Sequence, residues 1–247
     1  MTQMCKWLRR MKRLLCVATV LLLIAGCGLR AKTYMVCVGI ADYPGTKNDL
    51  RVSAGDAVTV SKIFEKNNNA DVVLLTDGEA TVSAACAAMR TLFAKAEEDD
   101  VVIFFFSGHG VPGSFVCHDG YLKYKDITDI MKTSKARHKE IFADACFSGK
   151  ARSTNRRNSD YSPTNVMFFF SSRDNETSLE KRGWKNSLFT AYLERGLRGG
   201  ADTDRNRTVT ARELFDFVSN GVKEASKGKQ HPVMWGKFDD DMPVIVW

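Results

Sequence analysis

The sequence predicts an α/β fold with a mostly parallel sheet and helices on both faces. Two short runs, residues 101–106 and 141–143, are apolar at every position, without the alternation of a half-exposed strand. A glycine-containing segment follows each run, as is usual at the carboxyl end of a central parallel strand. Segments of helical periodicity separate the apolar runs, and alternating strands and helices form this class of fold.

The predicted strands are short runs rich in Val, Ile, Leu and Phe, bounded by polar or glycine-containing segments. Two shorter runs on either side of His118 and Asp119 predict a small hairpin, at residues 114–117 and 120–124. The other predicted strands cover residues 34–40, 71–75, 101–106, 141–144 and 165–170, with a candidate terminal strand at 242–247.

The predicted helices are segments in which apolar residues recur every three or four positions. In the first of them Ala57, Val60 and Phe64 lie on one face, and three asparagines at 67–69 end it. Residues 150–163 are polar and basic without any such period, which indicates a loop. The predicted helices cover residues 56–66, 82–96, 127–133, 188–197 and 211–225.

The charge distribution gives no indication of a nucleic-acid partner. The 247 residues carry a formal charge of +7, but residues 1–26 hold five basic residues and no acid. Without those five, 31 of the 36 basic residues remain against 29 acidic ones. The rest of the chain is therefore close to neutral, and a polyanion is not the expected partner.

The first 26 residues are typical of an export signal of the lipoprotein type. Basic residues precede an apolar run that is shorter than the roughly 20 residues a membrane-spanning helix needs. The run ends in Ile-Ala-Gly-Cys at 24–27, which resembles a bacterial lipobox and makes Cys27 the candidate for lipidation. We therefore expect an exported protein, anchored by a lipid in the bacterial cell envelope at the outer membrane or facing the periplasm. Residues 27–33 would be a tether and residues 34–247 a single domain, and an ordinary signal peptide or an uncleaved anchor is the alternative.

Four cysteines lie beyond Cys27: Cys37, Cys86, Cys117 and Cys146. Their spacing is neither that of a metal site nor that of a dense disulfide framework. Cys37 falls in a predicted strand and Cys86 on an apolar helix face, where buried thiols are usual. A disulfide between two of the four, in an oxidising compartment, stays open.

His109 and Cys146 each follow a predicted central strand. The carboxyl ends of parallel strands share one edge of a sheet, so both side chains are expected at that edge. An imidazole that takes the proton of a thiol makes the thiol a nucleophile. Glycines beside both residues let the backbone approach a substrate, and the N–H groups of Gly110 and Cys146 are candidates to hold an oxyanion. This arrangement is suited to acyl transfer.

The motifs Ser-Gly-His-Gly at 107–110 and Asp-Ala-Cys-Phe-Ser-Gly at 144–149 resemble those of the caspase-like cysteine peptidases, specifically the metacaspase branch and its bacterial relatives. The resemblance extends to residues 38–43 and 188–190. It implies the caspase-hemoglobinase fold and endopeptidase activity on peptides or proteins, with Cys146 as nucleophile and His109 as base and acid. It implies no cofactor for the chemistry. The alternative is a catalytically silent member of the same fold that acts as a binding or scaffold protein.

The same resemblance implies cleavage after Arg or Lys. The positions that match the acidic P1 pocket of metacaspases are Asp56 and Asp144, with Ser53 and Ser107 beside them. A carboxylate close to the nucleophile favours a cationic side chain. Asp56 has an alternative role as an acid at a helix N-terminus. Arg173 follows the fifth strand much as the substrate-binding Arg of caspases does, which leaves specificity for Asp as the competing hypothesis.

Residues 202–213 match the pattern of an EF-hand calcium loop. Arg207 occupies the position where such a loop carries Gly, so any affinity for calcium should be weak. The competing interpretation is a metal-free turn in which Thr210 and Glu213 cap the following helix. The candidate calcium ligands are Asp202, Asp204, Asn206, Thr208, Thr210 and Glu213.

Overall fold

The computed structural model describes residues 31–67, 69–145, 165–173, 176, 178–180 and 183–246. The predicted export signal, Cys27, Cys146 and the predicted loop at 150–163 lie outside these residues.

The strands found in the structure include every strand that the sequence predicts and three short ones that it does not, at residues 110–111, 208–210 and 233–236. They are β1 (Thr33–Gly39), β2 (Ala70–Thr76), β3 (Val101–Gly108), β4 (Gly110–Val111), β5 (Ser114–Cys117), β6 (Gly120–Lys123), β7 (His138–Ala145), β8 (Val166–Phe170), β9 (Thr208–Thr210), β10 (Val233–Gly236) and β11 (Pro243–Val246).

The helices lie close to their predicted positions. The first begins three residues earlier than predicted, because Val52 at its N-cap has no side-chain hydrogen bond that would mark the start. A π-type turn, Gly196–Gly200, follows the fourth helix. The helices are α1 (Ser53–Glu65), α2 (Val82–Phe93), α3 (Tyr124–Thr133), α4 (Leu188–Arg195) and α5 (Ala211–Ala225).

A six-stranded sheet, in the order β10-β8-β7-β3-β1-β2, is the centre of the fold. All neighbours are parallel except β10, which runs antiparallel to β8. The predicted α/β class and mostly parallel sheet are therefore confirmed. The predicted hairpin forms β5 and β6 of a small three-stranded sheet. The terminal strand β11 pairs with β9 in a separate two-stranded sheet.

Both faces of the sheet are covered by apolar side chains. On β3, Phe104 and Phe106 pack into one core cluster, while Ile103 and Phe105 pack into the other. The two clusters follow from the alternation of side chains along a strand. This is why residues 101–106 of β3 are all apolar, and all eight residues of the strand are buried. No helix among the described residues is long and apolar enough to cross a membrane.

One carboxyl group lies inside the core. Glu140 of β7 has no exposed surface, and neither of its carboxylate oxygens has a hydrogen-bond partner among the described residues. Its neighbours in the sheet register are Ile103 and Met167. Burial raises the pKa of Glu140 well above its ordinary value, because the charged form is poorly solvated there.

The three described cysteines are free thiols. Cys37 and Cys117 are buried, as the sequence indicates for Cys37, and Cys86 is half-buried. Burial raises the pKa of all three thiols, that of Cys117 to about 12. These thiols are therefore poor nucleophiles at neutral pH.

Candidate active site

The carboxyl ends of β3 and β7 lie side by side. In the register of this parallel pair, Ser107 is opposite Asp144 and Gly108 is opposite Ala145. His109 follows β3 directly. Cys146 comes directly after the last residue of β7 in the chain, although it lies outside the described part of the structure.

Tyr43 fixes the main chain at His109. The His109 N–H donates to Tyr43 Oη (2.9 Å), and Tyr43 Oη donates to the carbonyl oxygen of Val116 on β5 (3.0 Å). The two rings lie 4.9 Å apart between centroids. A Cβ on Gly108 would lie 2.6 Å from Tyr43 Oη, so only glycine allows this close approach.

The imidazole of His109 has one nitrogen with a defined partner. Nε2 lies 2.7 Å from the carbonyl oxygen of Asn48. A carbonyl oxygen only accepts hydrogen bonds, so Nε2 carries the hydrogen and donates it. In the neutral ring Nδ1 is then the basic nitrogen, available to take a proton from a nucleophile.

Asp56 lies in a fully polar buried environment. Its Oδ2 accepts from Ser107 Oγ (2.9 Å), and its Oδ1 accepts from Asn186 Nδ2 (2.9 Å) and from the Ser187 N–H (3.1 Å). The carboxyl group has no exposed surface. Both oxygens are therefore occupied by groups of the protein itself.

Asp144 shares this environment but is only partly satisfied. Its Oδ2 accepts from Ser187 Oγ and from Thr190 Oγ1 (3.0 Å). Its Oδ1 is buried and has no hydrogen-bond partner among the described residues. The residue is 3% exposed, so the side chain offers one buried acceptor that no described residue occupies.

The two acids influence each other electrostatically. Burial, and then the charge of Asp144, raise the pKa of Asp56 to about 8, although hydrogen bonds from Asn186, Ser107 and Ser187 act in the opposite direction. Two buried carboxylates repel each other, so one of them tends to keep its proton. The protonated form of Asp56 is therefore favoured more than that of an exposed aspartate.

The remaining predicted site residues lie on the surrounding segments. Ser53 opens α1 and its Oγ donates to Glu180 Oε1 (3.4 Å). Arg173 is exposed, and its N–H donates to Glu176 Oε2 (3.4 Å). Gly110 is the first residue of β4. The substrate-binding and oxyanion roles of these residues stay predictions.

Sequence reasoning missed the donors from residues 186–190. Asn186 and Ser187 reach Asp56, and Ser187 and Thr190 reach Asp144, so one short segment binds both acids. A serine directly before an apolar periodic run is a signal for a helix N-cap, and Ser187 does cap α4 by accepting from the Thr190 N–H. No local sequence pattern predicts its additional hydrogen bond to Asp144, which lies about 40 residues earlier in the chain.

Comparison with known proteins identifies the family. The family model for the caspase domain matches residues 32–242, which is most of the chain. The chain belongs to the caspase-domain peptidase family. A search of the curated proteins finds none that matches this chain.

Solved structures share the fold of this caspase domain. A protein from Geobacter sulfurreducens, GSU0716, is 16% identical with a TM-score of 0.62, and the match covers 83% of this chain and 92% of that one. Caspase-1 from Spodoptera frugiperda is 17% identical with a TM-score of 0.61, and the match covers 84% of this chain and 87% of that one. These similarities confirm the predicted caspase-type fold.

The candidate calcium loop of this caspase domain, residues 202–213, is separate from the site at the strand ends. One oxygen each from Asp202, Asp204 and Glu213 lies within 4.8 Å of the others. Backbone N–H groups of Asn206 and Arg207 donate to Asp202 (3.1 Å each). Calcium binding by this loop stays a prediction.

The capping box of the competing interpretation is present in the same loop. The Glu213 N–H donates to Thr210 Oγ1 (3.3 Å), and the Thr210 N–H donates to Glu213 Oε2 (3.1 Å). The Thr208 N–H donates to Asn206 Oδ1 (2.7 Å). Burial would raise the pKa of Glu213, but hydrogen bonds from Thr203 and Thr210 outweigh it and lower the pKa to about 2. Glu213 is therefore an anion stabilised by the protein.

We expect the substitution Arg207→Gly to stabilise the domain by roughly 0.5–1 kcal/mol. Arg207 has φ 67°, a left-handed conformation that glycine adopts without steric cost. Thermal unfolding measures the gain, and Arg207→Ala, which removes the charge and keeps the strain, is the control. Calorimetric titration should also show tighter calcium binding for Arg207→Gly than for the wild type. A glycine variant no more stable than the alanine variant would contradict the prediction.

Proposed function

We propose that this caspase domain is a cysteine endopeptidase of the metacaspase type, which cleaves peptides and proteins after Arg or Lys. The observation that carries the proposal is the junction of β3 and β7. It places the His109 motif next to the end of the strand that leads into Cys146, with the acids Asp56 and Asp144 beside it.

The proposed chemistry begins with proton transfer from the thiol of Cys146 to Nδ1 of His109. The thiolate attacks the scissile carbonyl, and the N–H groups of Gly110 and Cys146 stabilise the oxyanion. The imidazolium then gives its proton to the leaving amine, which leaves an acyl-enzyme. Water hydrolyses the thioester with His109 again acting as base. None of these steps requires a metal or an organic cofactor.

The bond from His109 Nε2 to the Asn48 carbonyl supports this role. It holds the ring in the tautomer in which Nδ1 is free to accept a proton, and it stabilises the imidazolium that forms. The bond from the His109 N–H to Tyr43 keeps the backbone of the histidine in place during both proton transfers.

The buried carboxylate of Asp144 supports a basic P1 side chain. Asp144 Oδ1 is an acceptor without a partner among the described residues, and a buried acceptor of this kind is costly unless a donor fills the site. A guanidinium or ammonium group supplies both the donor and the opposite charge. The alternative specificity, for Asp, would use Arg173 instead.

The proposal is tested with fluorogenic peptides that differ only at P1, carrying Arg, Lys, Asp or citrulline. We expect kcat/KM for Arg to exceed that for Asp at least about 100-fold, because a carboxylate at P1 would face Asp144. Citrulline, which has the shape of Arg without its charge, should be cleaved far more slowly than Arg. A preference for Asp would move the P1 contact to Arg173. No hydrolysis of any peptide would favour the silent binding protein.

Export and attachment to a membrane through a lipid on Cys27 remain part of this proposal. They depend on residues 1–30, which lie outside the described part of the chain. A location in the cell envelope is also part of the proposal and depends on the same residues. It would give the enzyme exported or surface proteins as substrates.

A further inference from the structure

A third acid, Glu180, lies next to the predicted P1 subsite. Its Oε1 accepts from Ser53 Oγ (3.4 Å), and its Oε2 accepts from the Arg51 N–H (3.3 Å). The side chain is half-buried, and it approaches α1 from a part of the chain about 130 residues away in sequence.

The position of Glu180 relative to Asp56 follows from the geometry of α1. Ser53 and Asp56 are separated by three positions in the first turn of this helix. Side chains at this spacing are neighbours on the helix surface, with about 5–6 Å between their Cβ atoms. Glu180 therefore lies about one helical turn from Asp56, on the side where α1 begins.

The three acids differ in what they can offer a substrate. Asp56 is fully buried, and both of its oxygens are occupied by Ser107, Asn186 and Ser187. Asp144 is buried, and its Oδ1 has no hydrogen-bond partner in the described part of the chain. Glu180 is the accessible member, and its two hydrogen bonds with described residues are long and come from neutral donors. It can exchange them for a charged donor at little cost, because bonds to ionised groups are the stronger ones.

A guanidinium has five N–H donors, more than one free carboxylate oxygen can accept. Asp144 alone would leave most of them unpaired in a largely buried site. A second carboxylate near the entrance to the subsite would accept several of them.

We infer that Glu180 is a specificity-determining residue of the P1 subsite, where its carboxylate binds the cationic P1 side chain together with the free oxygen of Asp144. This inference rests on the proposed function. Asp56 then acts as a positioning residue that orders Ser107 and the segment at 186–187. Because a guanidinium can bridge two carboxylates and an ammonium is a compact point charge, the subsite should prefer Arg to Lys.

The test compares Glu180→Gln with the wild type on peptides with Arg, Lys or citrulline at P1. We expect kcat/KM for Arg to fall about tenfold, mainly through a higher KM, since a charge-assisted bond is lost on binding. The preference for Arg over Lys should shrink. The value for citrulline should stay within about twofold of the wild-type value. Glu180→Asp, which keeps the charge on a shorter side chain, should retain part of the activity on Arg.

The matched control is Glu79→Gln, which removes the same charge from an exposed turn after β2. Its kcat/KM for Arg should stay within about twofold of the wild-type value. If kcat/KM of Glu180→Gln equals the wild-type value, this inference is wrong and the proposed function still stands. An equal fall on all three peptides would also overturn it, because it would indicate a structural role. A wild type that cleaves no peptide, or prefers Asp at P1, would overturn the proposed function and this inference with it.

Discussion

Replacement of Cys146 or of His109 by alanine is expected to abolish peptide hydrolysis, with kcat falling at least about 1,000-fold in each variant. Without the thiol no acyl-enzyme can form, and without the imidazole the thiol keeps its proton. The two losses should not add in the double variant, because nucleophile and base act as one unit. Initial rates on an Arg-P1 peptide measure the effect.

Both variants should remain folded. The bond to Tyr43 uses the main-chain N–H of His109 and therefore survives the change to alanine. Cys86→Ala is the matched control, because it removes a half-buried thiol on α2 that has no role in the proposed chemistry. Full activity of Cys146→Ala would refute the assignment of the nucleophile.

The second large effect concerns stability. Glu140→Met should raise the free energy of unfolding by about 2 kcal/mol at pH 7, because a buried carboxyl that no described residue hydrogen-bonds is replaced by an apolar chain of similar shape. Met suits a site between Ile103 and Met167, since its unbranched side chain adapts to irregular space. Urea denaturation monitored by circular dichroism measures the gain.

The same carboxyl makes stability depend on pH. The folded-state pKa of Glu140 is raised, so its contribution is complete below the ordinary value of about 4.3 and declines as the pH rises, by at most about 1.4 kcal/mol per unit. Glu140→Met should flatten this decline between pH 5 and 8. Glu140→Gln is neutral but polar, so it should flatten the decline with a smaller gain at pH 7. A methionine variant less stable than the wild type would show that the carboxyl has a stabilising partner.

The central fold was predictable because its signals are local. Strands such as β3 and β7 are buried on both faces, and this burial requires the continuous apolar runs seen in the sequence. Strand β10 was missed because it is a short edge strand in which no residue is fully buried. Its four residues carry no alternation, and only their pairing with β8 makes them a strand.

The part of the candidate site that could be predicted from the sequence consists of residues in motifs at the ends of strands. His109, Ser107 and Asp144 are placed by the strands that precede them, so the order of β3 and β7 in the sheet brings them to one edge. Glu180 and Asn186 lie in a polar segment without periodicity, and their contacts with α1 span about 130 residues of sequence. No pattern within such a segment indicates which side chain will reach the site.

The first turn of α4 both caps the helix and binds Asp144. Ser187 Oγ caps the helix by accepting from the Thr190 N–H, and the hydroxyl groups of both residues donate to Asp144. The helix is about 12 Å long and ends at the π-type turn before the loop at 202–213. Any axial shift of α4 would thus change the donor geometry around Asp144 directly. We therefore expect the proposed P1 preference to depend on the position of this one short helix, so that a substitution on its far side would change the relative rates at which peptides are cleaved.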